Sequence, residues 1–344
     1  MLSCKIASMK PWLENFGPAR LNSSGVAIVK LDVVVPTYNR SQLLCRTISS
    51  LLRTPIPAGL EVTILIVDNK SKDDTEQVVR DIQSRAAGSV VYIKETNQGL
   101  SHARNAGIRA GVGDIIGFID DDEEIDESWY NVVVREFSHQ ATQFIGGPCL
   151  PNWATPAPKW LPPGYHAVIG VVVPKPRSPF GGTFPGILMG GNAVIRRSVF
   201  DCIGLYSTKL GRSGKGLLSG EDVEFYRRLC HAGLHGVYVP DLIIYHYIPA
   251  DRLTRKYHRR WCYWRSVSEG ISDRDSRSNV AYIFGIPRYR IGRALRGLAS
   301  IPRHLFIARE AGQAFADELA FWDLLGFIYG KHFIRIEKYY GKPS

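Results

Sequence analysis

Three consecutive carboxylates, Asp120-Asp121-Asp122, follow the uncharged run Ile115-Ile116-Gly117-Phe118-Ile119 with no turn residue between them. Like-charge repulsion makes such a triplet costly, and a hard divalent cation among the oxygens offsets that cost. The plain alternative is a solvated acidic turn. A second acidic pair, Glu221-Asp222, opens a stretch of helical pattern that ends near His231. Ser219 stands three residues before Asp222, as in a capping box, and acids at a helix start are favoured by the dipole. The same dipole keeps a carboxylate ionised and able to accept a proton. His246 ends the run Leu242-Ile243-Ile244-Tyr245, a place for a metal donor or for an ordinary edge histidine.

Several strands must position these groups. The run before the aspartates reads as a buried strand, and in open α/β sheets ligands bind beyond the carboxyl ends of the strands. Leu31 to Val35 forms an earlier strand, expected to stop at Pro36 and lead into Pro36-Thr37-Tyr38-Asn39-Arg40. Ser41 is expected to cap a helix carrying Leu44, Ile48 and Leu51 at helical spacing. Val62 to Val67 ends at Asp68-Asn69, Asp73 caps a helix to about Arg85, and Val90 to Ile93 leads toward Asn97-Gln98-Gly99. Ser101 opens a short helix before the aspartate strand. This alternation predicts an α/β protein with a Rossmann-like, mostly parallel sheet and right-handed crossovers. A helix is expected over Glu127 to Ser138. Residues 146–191 are crowded with Pro, Gly and Trp and read as a long irregular, functional insert. Asn192 to Ile195 restores order, with two short strands near Val237 and Ile243. The glycines between Gly211 and Gly220 suggest a loop that closes over a ligand.

The 344 residues carry a formal net charge of +11 and contain no apolar run long enough to span a membrane. The first twenty residues lack the pattern of a signal peptide, and the six scattered cysteines suggest neither a zinc site nor a disulfide framework, so a cytoplasmic location is expected. Basic residues gather between Arg252 and Arg309, apart from the acidic motifs. Interleaved with Tyr257, Trp261, Leu295, Leu298, Leu305 and Phe306, they suggest an amphipathic surface for an anionic membrane leaflet, with the protein peripheral on its inner face. No recognised nucleic-acid motif appears, so nucleic acid is not expected as a partner. The absence of G-x-G-x-x-G after the first strand and of a lysine phosphate loop argues against dinucleotide oxidoreductases and P-loop enzymes. The expected organisation is a leader over 1–30, a catalytic unit over 31–250 (halves 31–145 and 146–250) and a basic, helical C-terminal region over 251–344. A non-catalytic anion-binding module and a two-metal phosphohydrolase are the alternatives from other classes.

The ordered series Val34 to Arg40, Val67 to Asp74, Asn97 to Gly107, Phe118 to Asp122, Gly190 to Asn192, Gly220 to Arg228 and Tyr245-His246 resembles the family 2 glycosyltransferases of the GT-A fold. The resemblance spans roughly residues 31–265. It implies an inverting enzyme of polysaccharide or glycolipid biosynthesis. Such an enzyme moves a sugar from a nucleoside-diphosphate donor to a hydroxyl of a saccharide or lipid-linked acceptor, with Mg²⁺ or Mn²⁺ as cofactor. It assigns Pro36, Thr37, Tyr38 and Arg40 to the loop over base and ribose, Asp68 to the base, and Arg104 and Asn105 to the nucleotide. Asp120 falls near the ribose, with Asp121 beside it in the donor site; Asp122 falls on the metal, and His246 completes the metal site or contacts the diphosphate. Asp222 becomes the catalytic base, with Glu221 orienting sugar or acceptor.

Overall fold

The computed structural model describes residues 28–161, 168–181, 187–211, 220–275, 280–307 and 310–334. Residues 1–27 of the leader, most of the loop between Gly211 and Gly220, and Ser219 of the proposed capping box lie outside them; Val29 and Lys30, expected in the leader, begin the first strand.

The first half alternates as its apolar runs require: β1 (Val29–Thr37), α1 (Ser41–Arg53), β2 (Leu60–Asp68), α2 (Thr75–Gln83), β3 (Val90–Lys94), α3 (Leu100–Ala110) and β4 (Ile115–Phe118). β5 (Glu123–Ile125), α4 (Trp129–Phe137), β6 (Phe144–Gly146), β7 (Cys149–Trp153) and β8 (Ser178–Pro179) follow. Then come β9 (Ala193–Arg196), α5 (Arg197–Ile203), α6 (Glu221–His231), β10 (Gly236–Tyr238) and β11 (Ile244–Ile248). Eight strands form the main sheet in the order β3-β2-β1-β4-β9-β6-β10-β8. The first four are parallel, β9 is antiparallel to both neighbours, and β10 is again parallel to β6. A smaller sheet, β5-β11-β7, carries His246 alongside the acidic turn, with His246 opposite Glu123.

Both faces of the central strands are covered. Leu31, Val33 and Val35 enter a core with Leu44, Ile48 and Leu51 of α1 and with Trp129 of α4, while Val34 joins Ala103, Phe118 and Phe225 on the other face. That alternation is why β1 reads as an unbroken apolar run.

Three local expectations are corrected. β1 runs through Pro36 to Thr37, because pairing with β4 ends at Val34 and the missing N–H leaves no donor unmatched there. Ser41 is the first residue of α1 and makes no cap; Arg40 holds the cap position. Asp73 lies one residue before the cap of α2, where it accepts bonds from Thr75 and from the Ser41 backbone N–H at 3.2 Å, tying two loops together.

A 3₁₀ turn, Ala250–Leu253, leads from the sheets into α7 (Arg255–Asp275). The hairpin β12 (Tyr282–Ile283) and β13 (Ile286–Pro287), α8 (Arg288–Pro302), a π turn (Arg303–Ile307) and α9 (Ala311–His332) complete the described chain. α8 ends at Pro302, whose ring removes a backbone donor, and the π turn follows directly. The basic segment is not a single surface, however. Asp323 on α9 accepts bonds from Arg265, Ser266 and Arg290, and Arg259 pairs with Glu318 at 2.9 Å. These arginines fasten the helices to one another, and only part of the tract faces outward.

Candidate active site

The strand ends and the start of α7 enclose a cavity of about 1400 Å³. Pro36, Thr37, Tyr38 and Arg40 line it from the loop after β1, Asp120 to Glu123 from the turn after β4, and Glu221 and Asp222 from the first turn of α6. His246, Arg252, Tyr257 and Trp261 form a further wall. Groups more than two hundred residues apart, such as Pro36 and Trp261, therefore share one cleft.

Each aspartate of the triplet has a different environment. Asp120 accepts from Arg104 Nη2 at 3.3 Å, and its backbone N–H donates to Glu123 Oε2 at 2.7 Å. Asp121 accepts from Thr37 Oγ1 and from Arg40 Nη1, both at 2.9 Å. Burial pushes its carboxyl up to about 6 despite Arg40, and the charge of Asp122 adds to the rise. Asp122 Oδ2 is the most heavily engaged atom: Arg40 Nη1 lies at 2.9 Å, Arg252 Nη2 at 3.0 Å and His246 Nε2 at 3.4 Å. Burial alone would raise Asp122, but the Arg252 and Arg40 guanidinium groups beside it help outweigh that and hold the carboxyl well below the usual range.

Arg104 is the hub between the two acidic motifs. Its side chain is 2% exposed and places Nη1 2.8 Å from Asp222 Oδ1 and 3.5 Å from Glu221 Oε1. One guanidinium thus joins the strand-end acid Asp120 to the helix-start acid Asp222. The approach is close because residue 190 has no side chain: a Cβ there would sit 2.5 Å from both Arg104 Nη2 and Asp222 Oδ1. At Gly191 a Cβ would sit 2.4 Å from Glu123 Oε1. Asn192, the last residue of that motif, is structural, donating to the carbonyls of Pro148 and Leu242 and accepting from Trp129.

Two residues expected at the nucleotide are held by neighbouring protein groups. Asn105 is buried away from the cavity lining, where its amide pairs with both backbone groups of Tyr206 at 2.8 and 2.9 Å. Asp68 is also outside the lining; it accepts from the Ser71 N–H at 2.8 Å and from the Tyr92 hydroxyl at 2.7 Å, while its neighbour Asn69 faces the cleft. Arg104, also expected at the nucleotide, lines the cavity and reaches Asp120 and Asp222.

Two residues escaped the sequence reading. Glu123 is buried, and burial, reinforced by Asp120 and Asp122, lifts its carboxyl well above the usual range. Its position directly after the triplet was the available signal. Arg252 was absorbed into the C-terminal basic tract, although only six residues separate it from His246.

A divalent cation fits this donor set. Asp122 Oδ2 and His246 Nε2 converge within 3.4 Å, a carboxylate oxygen and an imidazole nitrogen on the cleft wall. No group of three or more His, Cys, Asp or Glu among the described residues is placed to hold a metal. The remaining ligands of such an ion would come from a phosphorylated substrate and water, the habit of Mg²⁺ and Mn²⁺. Carboxylates also outnumber arginines and lysines among the described lining residues, so an anionic substrate needs an accompanying cation.

The comparisons with known proteins agree with this geometry. Residues 32–204, half of the chain, match the family model for glycosyl transferase family 2. The succinoglycan biosynthesis protein ExoM of Rhizobium meliloti is 25% identical over 224 residues, which are 64% of this chain and 68% of that one. The glucosyl-dolichyl phosphate glucuronosyltransferase of Haloferax volcanii is 27% identical over 191 residues, 54% of this chain and 58% of its own length. Among solved structures, the mannosyltransferase PcManGT from Pyrobaculum calidifontis, in complex with GDP-Man and Mn²⁺, superposes with a TM-score of 0.57 at 17% identity, covering 92% of each chain. That likeness establishes the GT-A fold. The chain belongs to glycosyl transferase family 2 and is an inverting glycosyltransferase.

Proposed function

We propose that residues 31–250 form the catalytic unit of an enzyme that transfers a sugar from a nucleoside diphosphate to an acceptor hydroxyl, with Asp222 as general base. The observation that carries this reading is the single guanidinium of Arg104 spanning Asp120 on the donor side and Asp222 at the start of α6. Asp222 takes the acceptor proton as the acceptor oxygen bonds to the anomeric carbon. The bond from that carbon to the diphosphate oxygen breaks on the opposite face, and its electron pair leaves with the diphosphate. Attack and departure in line invert the anomeric centre. Asp122 and His246 would hold the divalent cation, which when bound supplies charge neutralisation for the departing diphosphate. Arg40, Thr37 and Tyr38 close the donor side of the cleft, and Glu221 orients the acceptor side.

The relatives named above act in polysaccharide and glycolipid synthesis, which points to a saccharide or lipid-linked acceptor here. The outward face of α8 and the π turn suits a peripheral position on an anionic leaflet. Leu295, Leu298, Leu305 and Phe306 are exposed there, Phe284 stands 89% exposed at the nearby hairpin, and Arg288, Arg296 and Arg303 lie among them. No helix among the described residues is long and apolar enough to cross a membrane. Each basic residue near such a surface contributes about 1 kcal/mol. Salt-sensitive sedimentation with phosphatidylserine vesicles, but not with phosphatidylcholine vesicles, is expected; no binding to either would remove the membrane from the account.

The donor reading is tested by thermal shift with GDP and UDP, each with and without Mn²⁺. One nucleotide with Mn²⁺ should raise the melting temperature beyond the two separate effects combined. A screen of nucleotide sugars for metal-dependent donor hydrolysis then identifies the sugar. Failure of every diphosphate, with metal, to shift the transition would refute the proposed donor site.

A further inference from the structure

Both atoms assigned to the metal already have a cation. Arg252 donates through Nη1 to His246 Nε2 at 2.9 Å and through Nη2 to Asp122 Oδ2 at 3.0 Å. A guanidinium can only donate, so the His246 lone pair that a metal would take is spent on Arg252. The arginine is buried, 8% exposed, in the 3₁₀ turn that joins the His246 strand to α7. Arg40 also reaches Asp122 Oδ2, but it holds Asp121 Oδ1 at 2.9 Å as well. The two arginines therefore differ in what they lose when a metal arrives. Arg40 keeps a carboxylate, whereas among the described residues the Arg252 guanidinium bonds to Asp122 and His246 alone.

We propose that Arg252 is a resident counter-ion of the metal donors, which a divalent cation displaces as it enters with the diphosphate. The released guanidinium then binds the diphosphate itself. The physical reason is the cost of stranding a buried charge: once its two partners turn to the metal, Arg252 requires another anion, and the diphosphate is the anion entering the same cavity. Before loading, Arg252 screens the acidic triplet and keeps the Asp122 and His246 side chains together. After loading, it adds a planar, two-pronged contact to the leaving group. Metal and diphosphate thereby enter as a pair, because the metal alone must break two charge-assisted contacts that only the diphosphate restores. This inference rests on the metal reading given under the proposed function.

The test uses the full chain with Arg252→Gln and Arg252→Lys. Affinity for Mn²⁺ alone is read by electron paramagnetic resonance of free Mn²⁺, and affinity for inorganic pyrophosphate at saturating Mn²⁺ by calorimetry. Arg252→Gln is expected to bind Mn²⁺ alone about tenfold or more tightly than the native protein, and pyrophosphate about tenfold or more weakly, the scale of one hydrogen bond to a charged group. Arg252→Lys keeps a buried cation without the fork and should fall between, which also serves if the glutamine variant does not fold. Folded variants with native Mn²⁺ affinity would overturn the counter-ion role. Tighter Mn²⁺ with unchanged pyrophosphate would overturn the diphosphate contact. If neither the native protein nor the variants take up Mn²⁺, with or without pyrophosphate, the metal reading fails and this inference falls with it. An Asp122→Ala control that abolishes uptake while Arg252→Gln leaves it native separates the two failures.

Discussion

Replacing Arg104 with methionine keeps most of the side-chain length and removes the charge at the centre of the site. Its guanidinium lies 2.8 Å from Asp222, 3.3 Å from Asp120 and 3.5 Å from Glu221, with the arginine side chain 2% exposed. Removing one partner from a buried ion pair costs about 3–5 kcal/mol because a charge is left behind without compensation. Asp120 and Asp222 are partly solvated, at 33% and 21%, so water screens some of that loss and the lower end, about 3 kcal/mol, is expected. A single domain with roughly 5–15 kcal/mol of stability survives this. Urea unfolding at neutral pH measures the change directly, and Arg104→Lys, which retains the charge but reaches fewer carboxylates, should lose less. Transfer should fall about 100-fold in the methionine variant, since Asp222 is no longer held in place. A loss below about 1 kcal/mol with native transfer would show that the acids are balanced by solvent and that the hub is not structural.

Gly190→Ala forces a Cβ into 2.5 Å contact with Arg104 and Asp222, so it should cost about 1–3 kcal/mol by overpacking and also depress transfer. Gly181→Ala, where a Cβ meets nothing within 4 Å, is the control, expected within about 0.5 kcal/mol of the native protein by urea unfolding. His258 is fully buried between Trp160 and Phe315, and burial pulls its pKa down to about 4, with a backbone contact at Arg252 opposing the shift. Its folded value lies below its unfolded one, so its contribution is complete above about pH 6.5 and disappears as pH falls toward 4, on the order of 3 kcal/mol. The stability of His258→Phe relative to the native protein should therefore rise across that window, as chemical denaturation at several pH values would show; a flat difference would contradict it.

The fold of the first half was legible because its strands are buried on both faces and so appear as plain apolar runs. β4 and its aspartates needed no more than that, and α6 begins and ends where its pattern places it. Helix starts were less legible. Ser41 and Asp73 are good capping types, but Asp73 serves a neighbouring loop and Ser41 sits one position inside. The motif pattern also gave no sign that the Asn105 amide and the Asp68 carboxylate bond backbone groups of Tyr206 and Ser71. The C-terminal arginines were the hardest to read. Their partners Glu318 and Asp323 lie more than thirty residues from Arg259, Arg265 and Arg290, so composition alone made an internal ion-pair network look like an exposed basic stripe. Arg252 was hidden by the same tract.

The central claim is that Asp222 takes the acceptor proton, and Asp222→Asn tests it most directly. The substitution keeps the size of the side chain and an oxygen to accept from Arg104, removing the charge and the basicity. Donor affinity, measured with the nucleoside diphosphate and Mn²⁺, should stay near native, while the transfer rate should fall by about 10² to 10⁴, the usual worth of general-base catalysis. Transfer close to the native rate with donor affinity intact would contradict the assignment and pass the role to Glu221.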